Sequence, residues 1–88
     1  MSYYLDFSKL AEKDIEFHKQ SGNKPVLQKM LVLLNELSEH PFTGTGKPEA
    51  LKYTLIGYWS RRINHEHRLV YQVMENRVVI HSVRGHYD

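Results

Sequence analysis

The groups best able to do chemistry are concentrated in the second half of the chain. Residues 45–88 carry seven Lys or Arg against four Asp or Glu, a net charge of +3, and four of the six histidines. Residues 1–44 carry five against six, a net charge of −1. Positive groups combined with histidine and tyrosine are typical of a site that binds a polyanion. A mildly basic, solvated sheet surface would have the same distribution, so charge alone does not decide between the two.

The segment TGTGKPEALK (43–52) has the glycines and lysine of a phosphate-binding loop but not its arrangement. A Walker A loop needs Ser or Thr directly after Gly-Lys, at the start of a helix. Here Pro48 follows Lys47, and no predicted strand precedes the loop. The glycines instead permit a sharp turn, after which Pro48 stiffens the approach to Glu49. The segment therefore predicts that Glu49 and Lys52 are presented at the edge of a sheet.

The first half of the chain predicts one strand and two helices. An aromatic run at 3–7 indicates a strand, and Ser8 is a suitable N-cap for a helix to about Gln20. A second helix begins near Pro25 and extends to about His40. Its apolar residues recur at three- and four-residue spacing, namely Val26, Leu27, Met30, Leu31, Leu34 and Leu37. This stripe lasts too few heptads for a coiled coil and indicates a helix that faces a core.

The second half predicts strands joined by short connections, which indicate antiparallel hairpins. The strand segments are 52–55, 57–63, 67–74 and 77–86. The predicted fold class is therefore α+β, a βααβββ-type sandwich with two N-terminal helices packed on an antiparallel sheet. A length of 88 residues predicts a single domain over residues 1–88.

Strand register decides which side chains share a face, because successive side chains alternate. With three residues in each hairpin loop, Arg62, Arg68 and Arg84 form one row, with His86 just beyond. The opposite face then meets the helices through Trp59, Ile63, Leu69, Tyr71, Val73, Val79 and Val83. A two-residue second loop would bury Arg84 unpaired at a high cost, so three residues are predicted. Arg61 points away from Arg62 and is assigned a structural role.

Three motifs in this region, GTGKPEALK, GYWSRRINHEHRLVY and RGHY, resemble the YoeB/Txe branch of the RelE-like bacterial toxins. The resemblance covers essentially the whole chain, with its motifs in the family's order through residues 41–87. It implies the microbial-RNase or RelE-like fold and a ribosome-dependent messenger-RNA endonuclease that inhibits translation. It also implies a YefM/Axe-like cognate antitoxin, the ribosome and mRNA as partners, and a homodimer in some members. Operator DNA would be contacted only through the antitoxin complex, and no cofactor is implied.

The resemblance further implies roles for four residues at the centre of the site. Glu49 matches the family's catalytic acid or base, and Arg68 matches the arginine that stabilises the scissile phosphate. His86 and Tyr87 match the family's penultimate histidine and final tyrosine, the tyrosine being suited to stacking a base or orienting the phosphate. The chain departs from the family by the extra Asp88, whose carboxylate is expected to have only a minor effect on RNA binding.

Three further residues are predicted to bind substrate. Lys52 and Arg62 match positions implied in RNA binding by the resemblance, and Arg84 joins them through its predicted place in the arginine row.

These groups can cleave RNA without a metal. Attack of a ribose 2′-hydroxyl on the adjacent phosphorus needs a base for the hydroxyl proton and an acid for the departing 5′-oxygen. Glu49 can act as the base and His86 as the acid, because histidine titrates near neutrality. Arg68, with Lys52 or Arg62, can stabilise the negative charge of the phosphorane. The expected product is a 2′,3′-cyclic phosphate.

Two alternatives stay open. A non-catalytic RNA- or antitoxin-binding module would keep the same fold without cutting, although the intact Glu49, Arg68 and His86 set argues against it. A metal-dependent nuclease would use Glu66 with histidines, but the spacing lacks His-Glu-x-x-His or another strong ligand pattern. The histidines concerned are His65, His67, His81 and His86, of which His67 and His81 are predicted to be hydrogen-bonded residues of the sheet.

Composition limits the kinds of cross-link and metal site that the chain can have and the cellular compartment expected for it. The chain has no cysteine, which excludes disulfides and thiolate zinc sites. It has no apolar run near the length that spans a membrane and no basic-then-apolar leader, so a cytoplasmic protein is expected.

Overall fold

The computed structural model describes residues 2–85, which form two helices packed on one face of a five-stranded sheet. The predicted α+β class is confirmed. In chain order the elements are β1 (Tyr4–Phe7), α1 (Lys9–Ser21), α2 (Lys24–Glu39), β2 (Glu49–Ala50), β3 (Trp59–Arg62), β4 (Arg68–Val73) and β5 (Arg77–Ser82). A short 3-10 helix, Tyr53–Leu55, lies between β2 and β3.

The strand order is β1-β5-β4-β3-β2. Strands β2 to β5 pair antiparallel, as their short connections predict, and β1 adds a parallel edge beside β5. A parallel pair needs a long crossover, which the two helices and the following strands provide. Within residues 2–85, neither helix is long and apolar enough to cross a membrane.

The helix starts follow the predicted Ser8 cap and the predicted place of Pro25 in the first turn of α2, whose cap, Asn23, was not predicted. The Ser8 hydroxyl accepts a hydrogen bond from the Ala11 amide at 3.0 Å and donates one to the His81 carbonyl at 2.7 Å. Asn23 caps α2 by accepting from the Val26 amide at 3.2 Å, with Pro25 in the first turn. The Ser8 cap therefore fixes the start of α1 and ties it to β5.

The apolar stripe of α2 is shifted slightly from the predicted one. Leu33 is fully buried although the predicted stripe omits it, and Leu31 is 59% exposed although the stripe includes it. The buried positions of α2 are Val26, Met30, Leu33 and Leu37, a regular four-three-four spacing. They form one buried cluster with residues in or directly after the strands, namely Ile63, Leu69, Tyr71, Val78, Ile80 and Val83.

Residues 52–55, predicted as a strand, instead form a tight turn. The Leu55 amide donates to the Lys52 carbonyl at 3.1 Å, and the Ile56 amide donates to the Tyr53 carbonyl at 3.1 Å. Tyr53 has a φ of 59°, in the left-handed region that interrupts an extended chain. These local bonds use the donors that a strand would have given to its neighbour, so β2 is only two residues long.

The hairpin loops differ from each other. The β3–β4 loop has three residues, as predicted, because the Ile63 amide donates to the His67 carbonyl at 3.0 Å. The β4–β5 loop is one residue shorter than predicted, because the Met74 amide donates to the Arg77 carbonyl at 2.8 Å. The tighter turn shifts the pairing of the two strands near the loop.

A β-bulge restores the predicted pairing farther along. Tyr71 pairs with Ile80, whereas the preceding Val70 pairs with Ser82, so His81 is the extra residue on β5. Past the bulge the register equals that of a three-residue loop. The register predicted from the alternation of side chains is therefore correct between the bulge and the end of β5, and wrong between the β4–β5 loop and the bulge.

The shorter β4–β5 loop changes one core assignment, because Val79 lies between that loop and the bulge. Val79, predicted to face the helices, is only partly buried, and its neighbours Val78 and Ile80 are in the core instead. Of the other residues predicted on this face, four are buried and two are partly buried against the core. They are Ile63, Leu69, Tyr71 and Val83, and Trp59 and Val73, respectively.

Candidate functional site

The sheet face opposite the helices carries Glu49, Arg62 and Arg68. Arg62 pairs directly with Arg68, while Ser60, two residues before Arg62, pairs with Glu49. Directly paired residues and residues two apart on a strand share a face, so the three side chains project from one surface. Like charges opposite each other on neighbouring strands repel. An anion bound between Arg62 and Arg68 would relieve that repulsion.

Glu49 and Lys52 line one cavity at the edge of this surface. The cavity has a volume of about 390 Å³ and lies between β2 and the 3-10 turn, with the ring of Tyr53 on its wall. Glu49 is an exposed residue of the edge strand, and Tyr53 is 89% exposed. The predicted presentation of Glu49 and Lys52 at a sheet edge therefore matches the structure.

Arg84 does not join the predicted row of arginines. Its Cζ atom lies 3.5 Å from the centroid of the Phe17 ring on α1, in a cation–π contact. The backbone beyond β5 still passes beside β4, because the Arg68 amide donates to the Gly85 carbonyl at 3.0 Å. Strand alternation fails for Arg84 because β5 ends at Ser82.

Two side chains of α1 fix the backbone at the point where β5 ends. Asp14 accepts from the Val83 amide at 3.1 Å, and His18 Nε2 donates to the Val83 carbonyl at 2.7 Å. His67 Nδ1 then accepts from the Gly85 amide at 2.9 Å, and its ring lies 4.7 Å from the His18 ring. These three side chains thus determine the path of the chain as far as Gly85, and only His67 of the three was singled out from the sequence.

The predicted site residues His86 and Tyr87, and the extra Asp88, lie outside the described residues 2–85. Their predicted roles stay predictions.

The sheet histidines differ in their hydrogen bonding. His67 is bonded as predicted. His81 is not, because its Nε2 is buried and has no hydrogen-bond partner among residues 2–85. Burial lowers the pKa of His81, and its ring lies 4.6 Å from that of Tyr58. No three His, Asp or Glu side chains in the described part of the chain come together in a group that could hold a metal.

Glu36 of α2 holds the glycine-containing loop that precedes Glu49. One carboxylate oxygen accepts from the Thr45 amide at 2.7 Å and from Arg61 Nη1 at 2.9 Å, and the other accepts from the Thr45 hydroxyl. The bond from the Thr45 hydroxyl, with those from the Thr45 amide and Arg61, holds the pKa of Glu36 below its ordinary value. Sequence spacing gave no indication of this contact.

Acid is expected to weaken the loop through Glu36. A lowered folded-state pKa contributes stability above the unfolded pKa of about 4.5, and this stability is lost as pH falls through the folded value. Wild type should therefore be more stable than Glu36→Gln near neutral pH, and the difference in free energy of unfolding should shrink below about pH 4.5. Urea unfolding from pH 7 to pH 3 measures it.

Glu16→Gln, an exposed α1 position bonded to Gln20 one turn away, is the matched control. A Glu36→Gln difference that stays constant across this pH range would contradict the assignment.

Comparisons with known proteins bear on the family and the fold. A family model described as a YoeB-like toxin of bacterial type II toxin-antitoxin system matches residues 7–87. Toxin YoeB of Synechocystis is 43% identical over 84 residues, covering 91% of this chain and 98% of the relative.

Two solved structures from Staphylococcus aureus are also similar. A YoeB dimer gives a TM-score of 0.86 at 42% identity, covering 99% of this chain and 100% of its own. A YoeB–YefM complex gives 0.84 at 43% identity, with the same coverage of both chains.

Proposed function

The chain belongs to the YoeB-like toxins of bacterial type II toxin–antitoxin systems, and we propose that it is a ribosome-dependent messenger-RNA endonuclease. The observation that carries the proposal is the sheet face that a carboxylate, Glu49, shares with the directly paired Arg62 and Arg68. Such a surface offers a proton acceptor and two phosphate-binding groups on one face of a rigid sheet.

The proposed reaction is an internal transfer at phosphorus. Glu49 accepts the proton of a ribose 2′-hydroxyl, whose oxygen forms a bond to the adjacent phosphorus. The bond from phosphorus to the 5′-oxygen breaks, and His86 donates the proton that this oxygen takes. Arg68 stabilises the charge that develops on the phosphorane. The products are a 2′,3′-cyclic phosphate and a 5′-hydroxyl, with no water or metal consumed.

The other proposed site residues bind and orient the RNA. Lys52 reaches it from the cavity shared with Glu49, and Arg62 reaches it from the position opposite Arg68. Arg84, an exposed residue stacked on Phe17, is proposed to contact phosphate from outside the pair of Arg62 and Arg68. Tyr87 is proposed to stack a base or orient the phosphate, where base stacking on an aromatic ring is worth about 1–3 kcal/mol.

The small size of the domain supports the proposed requirement for the ribosome. The Cα radius of gyration is 12.0 Å, and the cavity beside Glu49 is about 390 Å³. Such a domain can contact only a few nucleotides, so a second surface must hold the RNA in the conformation required for in-line attack. We propose that the ribosome supplies that surface, which places the protein in the cytoplasm.

The proposed partner in the inactive state is a cognate antitoxin of the YefM/Axe type. A similar toxin from Staphylococcus aureus forms a complex with YefM and is also found as a dimer. We propose the same two assemblies for this chain, with operator DNA bound only through the antitoxin complex.

Primer extension on a messenger RNA in a translating extract tests the function. Cuts are expected at a fixed offset from the reading frame, and they should disappear when the start codon is mutated. Cutting of naked RNA with no relation to the frame would overturn the ribosome requirement. Binding to ribosomes without any cut would instead support the non-catalytic module.

A further inference from the structure

The loop between α2 and β2, residues 40–46, is folded around the buried side chain of Arg61. Arg61 is fully buried, and its Nη2 donates to the carbonyls of His40 and Thr43, the latter at 2.8 Å. Its Nη1 lies 3.4 Å from the Thr45 carbonyl. Hydrogen bonds from a charged donor are about twice as strong as neutral ones, so this guanidinium can hold loop carbonyls that face away from water.

Two further side chains complete the surroundings of the guanidinium. Glu36 accepts from Arg61 Nη1 at 2.9 Å and also binds Thr45. The Tyr71 hydroxyl accepts from Arg61 Nε at 3.3 Å and donates to the Pro41 carbonyl at 2.6 Å. Burial raises the pKa of Tyr71, which keeps the hydroxyl protonated as that donor. Both terminal nitrogens of the guanidinium therefore contact carbonyls of the 40–46 loop directly, and Nε is linked to the loop through the Tyr71 hydroxyl.

The glycines of the loop show how closely it is packed. A Cβ at Gly44 would lie 2.3 Å from a carboxylate oxygen of Glu36, and one at Gly46 would lie 2.8 Å from the Arg62 carbonyl. Their φ values of 123° and 83° are unfavourable for other residues. The loop thus has one close-fitting conformation, shaped around the Arg61 and Glu36 pair.

This loop determines where Glu49 enters the sheet. The Gly46 carbonyl accepts from the Arg62 amide at 2.7 Å, and three residues later Glu49 pairs with Ser60. Strand β2 has only two residues, below the usual range for a strand, and one further backbone bond, from the Leu51 amide to the Tyr58 carbonyl at 2.9 Å, follows it. This short pairing with β3 leaves the segment before Glu49 to contribute much of its positioning. The position of Glu49 depends on the segment that delivers it.

We infer that Arg61 is a positioning residue for Glu49, holding the 40–46 loop so that the carboxylate stands on the surface that carries Arg62 and Arg68. The inference rests on the proposed cleavage reaction. A buried ion pair is weak grounds for stability, because desolvation offsets the attraction and an apolar replacement is often neutral. We expect the buried Arg61–Glu36 pair to select one conformation of the 40–46 loop rather than to raise the stability of the fold. A misplacement of about 1 Å at a catalytic group can cost about 10²-fold in rate.

The test compares Arg61→Met, which keeps length and removes the donors, with wild type on ribosome-bound messenger RNA. We expect kcat to fall about 10- to 100-fold with KM within about twofold, and Arg61→Lys to recover part of the rate. Thr45→Val, which removes the hydroxyl bond to Glu36 without opening the core, should lower kcat in the same direction. It keeps the inference testable if Arg61→Met does not fold.

Arg77→Met is the matched control, because it removes an exposed ion pair to Asp6 on the far strand pair. It should leave kcat and KM unchanged. A folded Arg61→Met or Thr45→Val protein with the wild-type kcat would overturn the inference. So would a fall in kcat that is proportional to the fall in melting temperature across all the variants, the control included.

Amide hydrogen exchange separates this inference from the proposed function. Residues 43–51 of the isolated protein should exchange faster in Arg61→Met and in Thr45→Val, whether or not wild type cleaves RNA. Wild type that does not cleave would end the proposed function. Unchanged exchange at these amides would end the positioning role.

Discussion

Replacing Glu49 with glutamine is expected to lower the rate of mRNA cleavage by about 10²- to 10⁴-fold, the usual contribution of a general acid or base. Glutamine keeps the size of the side chain and removes its ability to accept the 2′-hydroxyl proton. Glu49 is exposed on a two-residue edge strand, so the melting temperature should stay close to that of wild type. Single-turnover cleavage of ribosome-bound mRNA measures the change.

Glu75→Gln is the control, because this exposed carboxylate lies in the β4–β5 turn at the far end of β4 from Arg68. An unchanged rate for Glu49→Gln would assign the general base to another group. The surface of Glu49, Arg62 and Arg68 would then be a binding surface alone.

Replacing Arg68 with methionine is expected to lower the cleavage rate by about 10²- to 10³-fold, the usual cost of removing one stabilising group from a developing oxyanion. Arg68→Lys should recover only part of the loss, because an ammonium keeps the charge without the planar fork that fits a phosphate. The substitution also removes the repulsion between Arg68 and the like-charged Arg62 on the neighbouring strand. The rate and the urea midpoint are both measured.

Arg62→Met provides the comparison within the same pair. As a proposed binding residue, Arg62 should affect KM more than kcat, whereas Arg68 should affect mainly kcat. Equal effects on KM from both variants, with kcat unchanged, would contradict a transition-state role for Arg68.

The elements that depend on local chemistry were predictable. The Ser8 cap, the Pro25 start of α2 and the three-residue β3–β4 loop follow from residue type and spacing. Alternation along β3 also predicted that Arg61 points away from Arg62, and Arg61 is fully buried while Arg62 is exposed. The resemblance to the family predicted roles for Glu49 and Arg68, which lie on one face of the sheet.

The errors arose where alternation was extended beyond its physical basis. The β4–β5 loop has two residues rather than three, which turned Val79 away from the helices, and no pattern marks the bulge at His81 that restores the predicted register. Arg84 lies past the end of β5, where bonds from α1 to Val83 rather than strand geometry direct the chain. The 3-10 turn at Tyr53 replaces a strand because its amides find local acceptors.

The contacts that hold the site together were beyond prediction for a related reason. Glu36 has the sequence context of any solvated residue on a helix, and its bond to Thr45 spans a loop whose path depends on Arg61. The same holds for His18 and His67, which meet through two different elements. Such polar contacts join residues that are far apart in the sequence and form only in the folded protein, so no repeating sequence pattern predicts them.

The central claim is that the RNA's own 2′-hydroxyl attacks the phosphorus between Glu49 and Arg68, and the chemistry of the cut ends tests it most directly. Mass spectrometry of the fragments should find a 2′,3′-cyclic phosphate on the upstream piece and a 5′-hydroxyl on the downstream piece. A single 2′-deoxynucleotide at the cut site should prevent the cut. A 3′-hydroxyl with a 5′-phosphate, or undiminished cutting at the deoxy site, would show that a water molecule is the nucleophile and would contradict the claim.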